Sequence, residues 1–213
     1  MRTAIIYDCE FLTAQGALKN SWWGLEDPDP LVVQIGAVKI GLDDKALPIQ
    51  DTWQRFIKPV DRHNQQVPLD PYFVDLTGIT QQQVDEQGVS LEDALNEMAG
   101  FVGNDMCWAW GKDEFYACAV SCYAVGITPP IPMNQFDNAR KILALAGMPR
   151  EDLVTTNSGK LASYFGVADP IREHNAIDDA KSITRALQHL SQENRLNPDW
   201  LTKPLTSLNY PTN

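Results

Sequence analysis

Met1-Arg-Thr-Ala-Ile-Ile-Tyr-Asp8-Cys-Glu10 is the stretch whose reading decides the fold. Ala4, Ile5, Ile6 and Tyr7 form an apolar run of strand type that ends in two carboxylates two positions apart. Side chains on a strand alternate faces with period two, so Asp8 and Glu10 project to the same side. Two carboxylates side by side at the end of a buried strand repel each other unless a positive group lies between them. Hard oxygen ligands of this kind suit Mg²⁺ or Mn²⁺. The competing reading is a strand that leaves the core and solvates its acids.

Outward from this strand, Phe11 to Pro30 reads as a loop, with Gly16, Gly24, Pro28 and Pro30 and the pair Trp22-Trp23. A second strand follows at Leu31–Ile40, then a turn at Gly41–Asp44, then a third strand at Asp51–Lys58 that Pro59 halts. Short connections make these three an antiparallel meander. Thr80 and Gln83 have capping-box spacing for a short helix, and Ser90 caps another that carries Leu91, Ala94, Leu95, Met98 and Phe101 up to Gly103. Met106–Trp110 predicts a short buried strand, and a helix is expected from about Asp113 to Val125. The stiff Pro129-Pro-Ile-Pro132 leads into a strand near Met133–Phe136, with helices at roughly 137–146, 158–165 and 175–193. A meander followed by strand–helix alternation predicts an α/β fold: one mixed five-stranded sheet, three strands antiparallel and then parallel ones, flanked by helices. The predicted domain spans 1–193. Residues 194–213, polar and holding Pro198, Pro204 and Pro211, read as a tail that either crosses the surface or is partly disordered.

Composition bounds the function. The 213 residues are 44% hydrophobic and 21% charged, ordinary for a soluble globular protein, and no apolar run approaches the ~20 residues of a membrane span. The N-terminus goes from one arginine into an acid-bearing strand, unlike a signal peptide. Cys9, Cys107, Cys118 and Cys122 lack CxxC spacing and read as reduced thiols of a cytoplasmic protein. Cys118 and Cys122, one helical turn apart, read as core residues before a soft-metal pair. A net charge of −11 excludes the broad polybasic surface that grips long duplex DNA. It leaves room for a small, metal-centred contact with nucleic acid.

Further acids complete the pattern. At 100° per residue, Asp178 shares its helix face with Ser182, Arg185 and His189, whereas Asp179 shares its face with Ile183, Ala186 and Leu190. Asp179 is therefore expected to point inward. Asp113, at the start of the helix after the buried strand, is either an N-cap or a fourth carboxylate near Asp8, and Glu114 competes with it for that place. His174, just before the last helix, has the near-neutral pKa of a general base.

Together, Tyr7-Asp-Cys-Glu-Phe-Leu-Thr13, Trp110-Gly-Lys-Asp113 and His174-Asn-Ala-Ile-Asp-Asp-Ala180 resemble, in order, the three motifs of the DEDDh 3′–5′ exonucleases. These are the DnaQ-like and RNase T-like enzymes of the ribonuclease H-like superfamily. The resemblance covers roughly residues 3–190 and includes Val33-Gln-Ile-Gly-Ala-Val38, Phe56-Ile-Lys-Pro59 and Leu76-Thr-Gly-Ile-Thr80. The family's spacing of histidine to aspartate also selects Asp179 over Asp178. It implies two Mg²⁺ or Mn²⁺ ions at Asp8, Glu10, Asp113 and Asp179, with Asp8 bridging, and His174 preparing the attacking water. It further implies release of nucleoside 5′-monophosphates from single-stranded RNA or DNA 3′ ends. The Trp-Gly-x-x-Asp form of the second motif leans toward RNA. The family places the backbone of Glu10, Phe11 and Leu12 beside the terminal nucleotide, and Phe11, Trp22 and Trp23 are candidates for stacking on its bases. Several relatives are homodimers. The competing function is a non-catalytic binding module of the same fold.

Overall fold

The computed structural model describes residues 1–22, 24–167 and 173–205. Five strands, β1 (Thr3–Phe11), β2 (Val32–Gly41), β3 (Ile49–Phe56), β4 (Cys107–Ala109) and β5 (Phe136–Asn138), form one sheet in the order β3-β2-β1-β4-β5. β1 pairs antiparallel with β2 and β2 with β3, whereas β4 and β5 add in parallel. This is the mixed sheet expected. The helices are α1 (Pro71–Thr77), α2 (Gln81–Gln87), α3 (Leu91–Val102), α4 (Asp113–Val125), α5 (Ala139–Leu145), α6 (Arg150–Thr155), α7 (Leu161–Tyr164) and α8 (Ala176–Gln192). None of the helices among the described residues is long and apolar enough to cross a membrane.

The alternation along β1 divides the core. Ala4 and Ile6 face the layer of α5 and α8, with Trp108, Ile142, Leu143, Ile183, Leu187 and Leu190. Ile5, Tyr7 and Cys9 face the layer of α3 and α4, with Leu95, Met98, Ala117 and Cys122. Each fully buried aliphatic side chain contributes roughly 1.5–3 kcal/mol, so α8 is held chiefly by its inner stripe. A third cluster, Leu12, Leu31, Val33, Phe73, Ile79 and Val84, seats α1 and α2 at the end of β2.

Three expectations change. The strand near Met133–Phe136 shifts to Phe136–Asn138, because Pro132 starts a helical turn closed by the Gln135 N–H on the Pro132 carbonyl, 2.9 Å. Two short helices, α1 and α6, occupy stretches to which sequence reading assigned no element. α1 has Asp70 accepting from the Tyr72 N–H, Pro71 in its first turn and Gly78 at φ +68° closing it. The supposed tail packs on the body as far as Leu205. Leu196 and Leu201 are buried in the α5–α8 cluster, and the Trp108 indole N–H donates to the Leu201 carbonyl at 3.1 Å. Trp108 is completely buried, so its N–H needs a partner, and the chain beyond residue 194 supplies it.

Candidate active site

Asp8 and Glu10 continue the α8-facing side of β1 and stay buried, at 4% and 8% exposure. Their cross-strand partners on β2 are Gly36 and Gln34. Both partners place α8. The Gln34 side-chain carbonyl accepts the Ala176 N–H at 2.9 Å, satisfying one of the free donors at the helix start. A Cβ on Gly36 would lie 2.3 Å from the Ile177 backbone nitrogen, so only glycine lets the helix come this close. The first turn of α8 then delivers Asp179, 4% exposed, toward the acids of β1. Asp178 faces away and pairs with Lys181 at 3.2 Å, as the helical faces indicated.

The second motif divides differently from expectation. Asp113, the residue expected to be the fourth carboxylate, is exposed at the first position of α4, and the helix has Lys112, not Asp113, at its cap. Glu114, one residue on, is 7% exposed and is the acid of α4 that acts electrostatically on Asp8 and Glu10. A helix turns about 100° per residue, so only one of two neighbours can face the sheet, and the longer side chain of Glu114 spans the gap. Both still line the same cleft.

The four buried acids disturb one another. Burial, followed by repulsion from Asp179, Glu114 and Glu10, holds the Asp8 carboxyl well above its ordinary range. Glu10 is pushed up to about 8 by burial and then by Asp179 and Glu114, and Glu114 to about 7 mainly by burial. Burial also lifts Asp179 to about 7, opposed by hydrogen bonds from the Ser158 hydroxyl, 3.2 Å away, and the His174 backbone. One oxygen each of Glu114 and Asp179 is buried and accepts no hydrogen bond. Unpaired acceptors on clustered acids make a set of hard donors that fits a divalent cation. Ligand atoms of Glu10, His174 and Asp179 lie within 4.8 Å of one another.

His174 is half-buried and holds a left-handed backbone, φ +60°, a conformation that histidine adopts sparingly. That kink lets its backbone N–H reach Asp179. Burial pulls its pKa below 6.5, ahead of the smaller upward pull of Glu173. The ring is thus neutral at pH 7, the form that can accept a proton.

These residues open into a cleft of about 470 Å³. Phe11 and Trp22 line one end, edge to face at 5.1 Å, with the Trp22 indole N–H donating to the Thr13 hydroxyl at 3.2 Å. The Leu12 side chain is buried in the cluster under α1, and its N–H is taken by the Leu31 carbonyl, 2.9 Å. Trp23 lies outside the described residues. Sequence reading missed Ser158, which falls on no patterned position relative to the acids; Gln34 and Gly36 stood in the quoted Val33–Val38 stretch only as marks of the resemblance, without their contacts to the start of α8.

A family model described as an exonuclease matches residues 5–187. The chain belongs to the exonuclease family. No curated protein sequence matches it, but solved structures share its fold. The nuclease domain of 3′hExo, a DEDDh family member bound to rAMP, aligns with a TM-score of 0.71 at 20% identity, over 91% of this chain and 94% of that one. Cell-death related nuclease 4 aligns at 0.69 and 22% identity, over 91% and 64%. Exonuclease I of E. coli, in a zinc-bound complex with single-stranded DNA, aligns at 0.64 and 15% identity, covering 94% of this exonuclease but only 42% of its own chain. The fold is therefore the ribonuclease H-like exonuclease fold.

Proposed function

We propose that this exonuclease removes nucleoside 5′-monophosphates one at a time from the 3′ end of single-stranded nucleic acid. The observation that carries the reading is the convergence of Asp8, Glu10, Glu114 and Asp179, all buried, with neutral His174 at the mouth of one cleft. These four acids would hold divalent cations, Mg²⁺ or Mn²⁺, with Glu114 in the role that sequence reading gave to Asp113. Bound there, such ions lower the pKa of a water and neutralise charge at a phosphate.

His174 takes the proton from the water whose oxygen attacks phosphorus. The P–O3′ bond breaks with its electron pair on O3′, which takes a proton from solvent to become the free 3′ hydroxyl of the shortened strand, and the released nucleoside carries a 5′-monophosphate. Ser158 and the His174 N–H hold the Asp179 carboxylate in place. Phe11 and Trp22 stack on the terminal bases, each stack contributing ~1–3 kcal/mol without regard to sequence. RNA is the favoured polymer. The Trp-Gly start of the second motif supports it, as does likeness to a 3′-exonuclease whose structure concerns 3′-end recognition of a histone mRNA stem-loop. Four free thiols suit the cytoplasm.

Digestion of matched 3′-labelled and 5′-labelled RNA and DNA oligomers with Mg²⁺, Mn²⁺ or EDTA tests this. Metal-dependent loss of single nucleotides from the 3′ end, faster on RNA, is expected. Inert, folded protein with either ion would overturn the reading.

A further inference from the structure

The cleft is acidic and its substrate is a polyanion, yet among the described residues that line it Arg140 is the sole lysine or arginine. Arg140 sits at the start of α5, directly after β5. Its guanidinium lies over the Trp110 ring, 5.0 Å from the centroid, which fixes its plane. Its Nε is buried and donates to nothing, and no carboxylate comes within ion-pairing distance of it among the described residues. Glu114 feels its charge only through space. Arginine presents planar paired donors that match phosphate oxygens, and here they are unspent.

Position then selects the phosphate. Phe11, at the end of β1, and Trp22, edge to face with it, line the cleft together with Tyr72 and Leu76 of α1. Arg140 and Trp110 lie on the other side of β1, beyond β4. If the terminal base stacks on the aromatic end and the scissile phosphate meets the acids, the strand leaves past Arg140. We propose that Arg140 binds the first non-scissile phosphate, the one immediately 5′ of the bond being cut, and so makes the enzyme prefer strands of at least three nucleotides over dinucleotides. This rests on the exonuclease reading above.

The test compares a dinucleotide with free 5′ and 3′ hydroxyls, which holds only the scissile phosphate, with the corresponding trinucleotide. Arg140→Gln should raise KM for first cleavage of the trinucleotide by roughly 10- to 100-fold, as expected for loss of a charged hydrogen bond, and leave the dinucleotide unchanged. Arg140→Lys should fall between. In the unaltered enzyme, a neutral methylphosphonate at the second linkage should reproduce the rise, and it should add nothing in Arg140→Gln. The same contrast should appear as weaker trinucleotide binding by fluorescence anisotropy in the Asp8→Asn background. An unchanged trinucleotide KM, or an equal change on both substrates, overturns the assignment; the second result would mean that Arg140 acts only through Glu114. Failure of the unaltered enzyme to cut either oligomer would overturn the exonuclease reading as well, which separates the two failures.

Discussion

Replacing Glu114 by glutamine should stabilise the metal-free protein in alkaline solution and destabilise its metal-dependent state. Glu114 is raised from 4.5 to about 7, so the folded protein holds a proton that the unfolded chain would release. A raised carboxyl makes stability greatest below the unfolded pKa and erodes it as pH climbs through the folded value; above about pH 7 the full penalty applies. The shift corresponds to roughly 3 kcal/mol. For a chain of this length, relief of that penalty should lift Tm by roughly 5–10 °C. Thermal unfolding in EDTA at pH 5 and pH 8 reads it: Glu114→Gln should match the unaltered protein at pH 5 and exceed it at pH 8. Mn²⁺ should reverse the order at pH 8, since the variant loses part of the donor set that links ion binding to folding. Asp113→Asn, at an exposed site, should stay within about 0.5 kcal/mol throughout. Equal stability of Glu114→Gln and the unaltered protein at pH 8, or a larger effect from Asp113→Asn, would refute the assignment of the buried acid.

Other perturbations test the rest of the site. His174→Ala should slow cleavage by roughly 10²- to 10⁴-fold, and the acid limb of kcat/KM in the unaltered enzyme should lie below pH 6.5, because burial depresses the imidazole; a limb above 6.5 would contradict this. Gly36→Ala forces a methyl against the Ile177 nitrogen, so urea unfolding should show a loss of roughly 3 kcal/mol or more, together with loss of activity; a loss under 1 kcal/mol would mean that α8 can retreat freely. Leu201→Ala should cost roughly 2–5 kcal/mol by the same assay, since Leu201 is buried on Trp108; a neutral result would mean that the segment beyond residue 194 adds nothing to the stability of the core.

What could be read beforehand depended on periodicity. Asp8 and Glu10 follow a clean two-residue alternation, and Asp179 shares a stripe with Ile183 and Ala186, so their inward direction was legible. Asp113 and Glu114 open a helix whose stripe is weakly sided, with Phe115 and Tyr116 exposed. Its rotational phase is set by packing, and one residue of phase exchanges the two acids. The Asp70-Pro71 start and Gly78 end of α1 were present in the sequence as cap signals, but the helix is too short to show a period. Gln34, Ser158 and Arg140 act across long sequence separations, where no local pattern points to a partner. Leu196 and Leu201 sit among polar residues and prolines, and their burial comes from a gap over Trp108 that only the assembled sheet defines.

The pairing of Glu10 with Gln34 on adjacent strands has a consequence for the timing of activity. Gln34 accepts the N–H that begins α8, so the late segment carrying His174 and Asp179 is aligned on a strand pair made from the first 41 residues. A partly synthesised or proteolysed chain lacking α8 would hold Asp8, Glu10 and Glu114 without their remaining partners. On the proposed function, hydrolysis of nucleic acid would thereby be tied to completion of the tertiary structure, and an incompletely folded chain would lack the means to cut it.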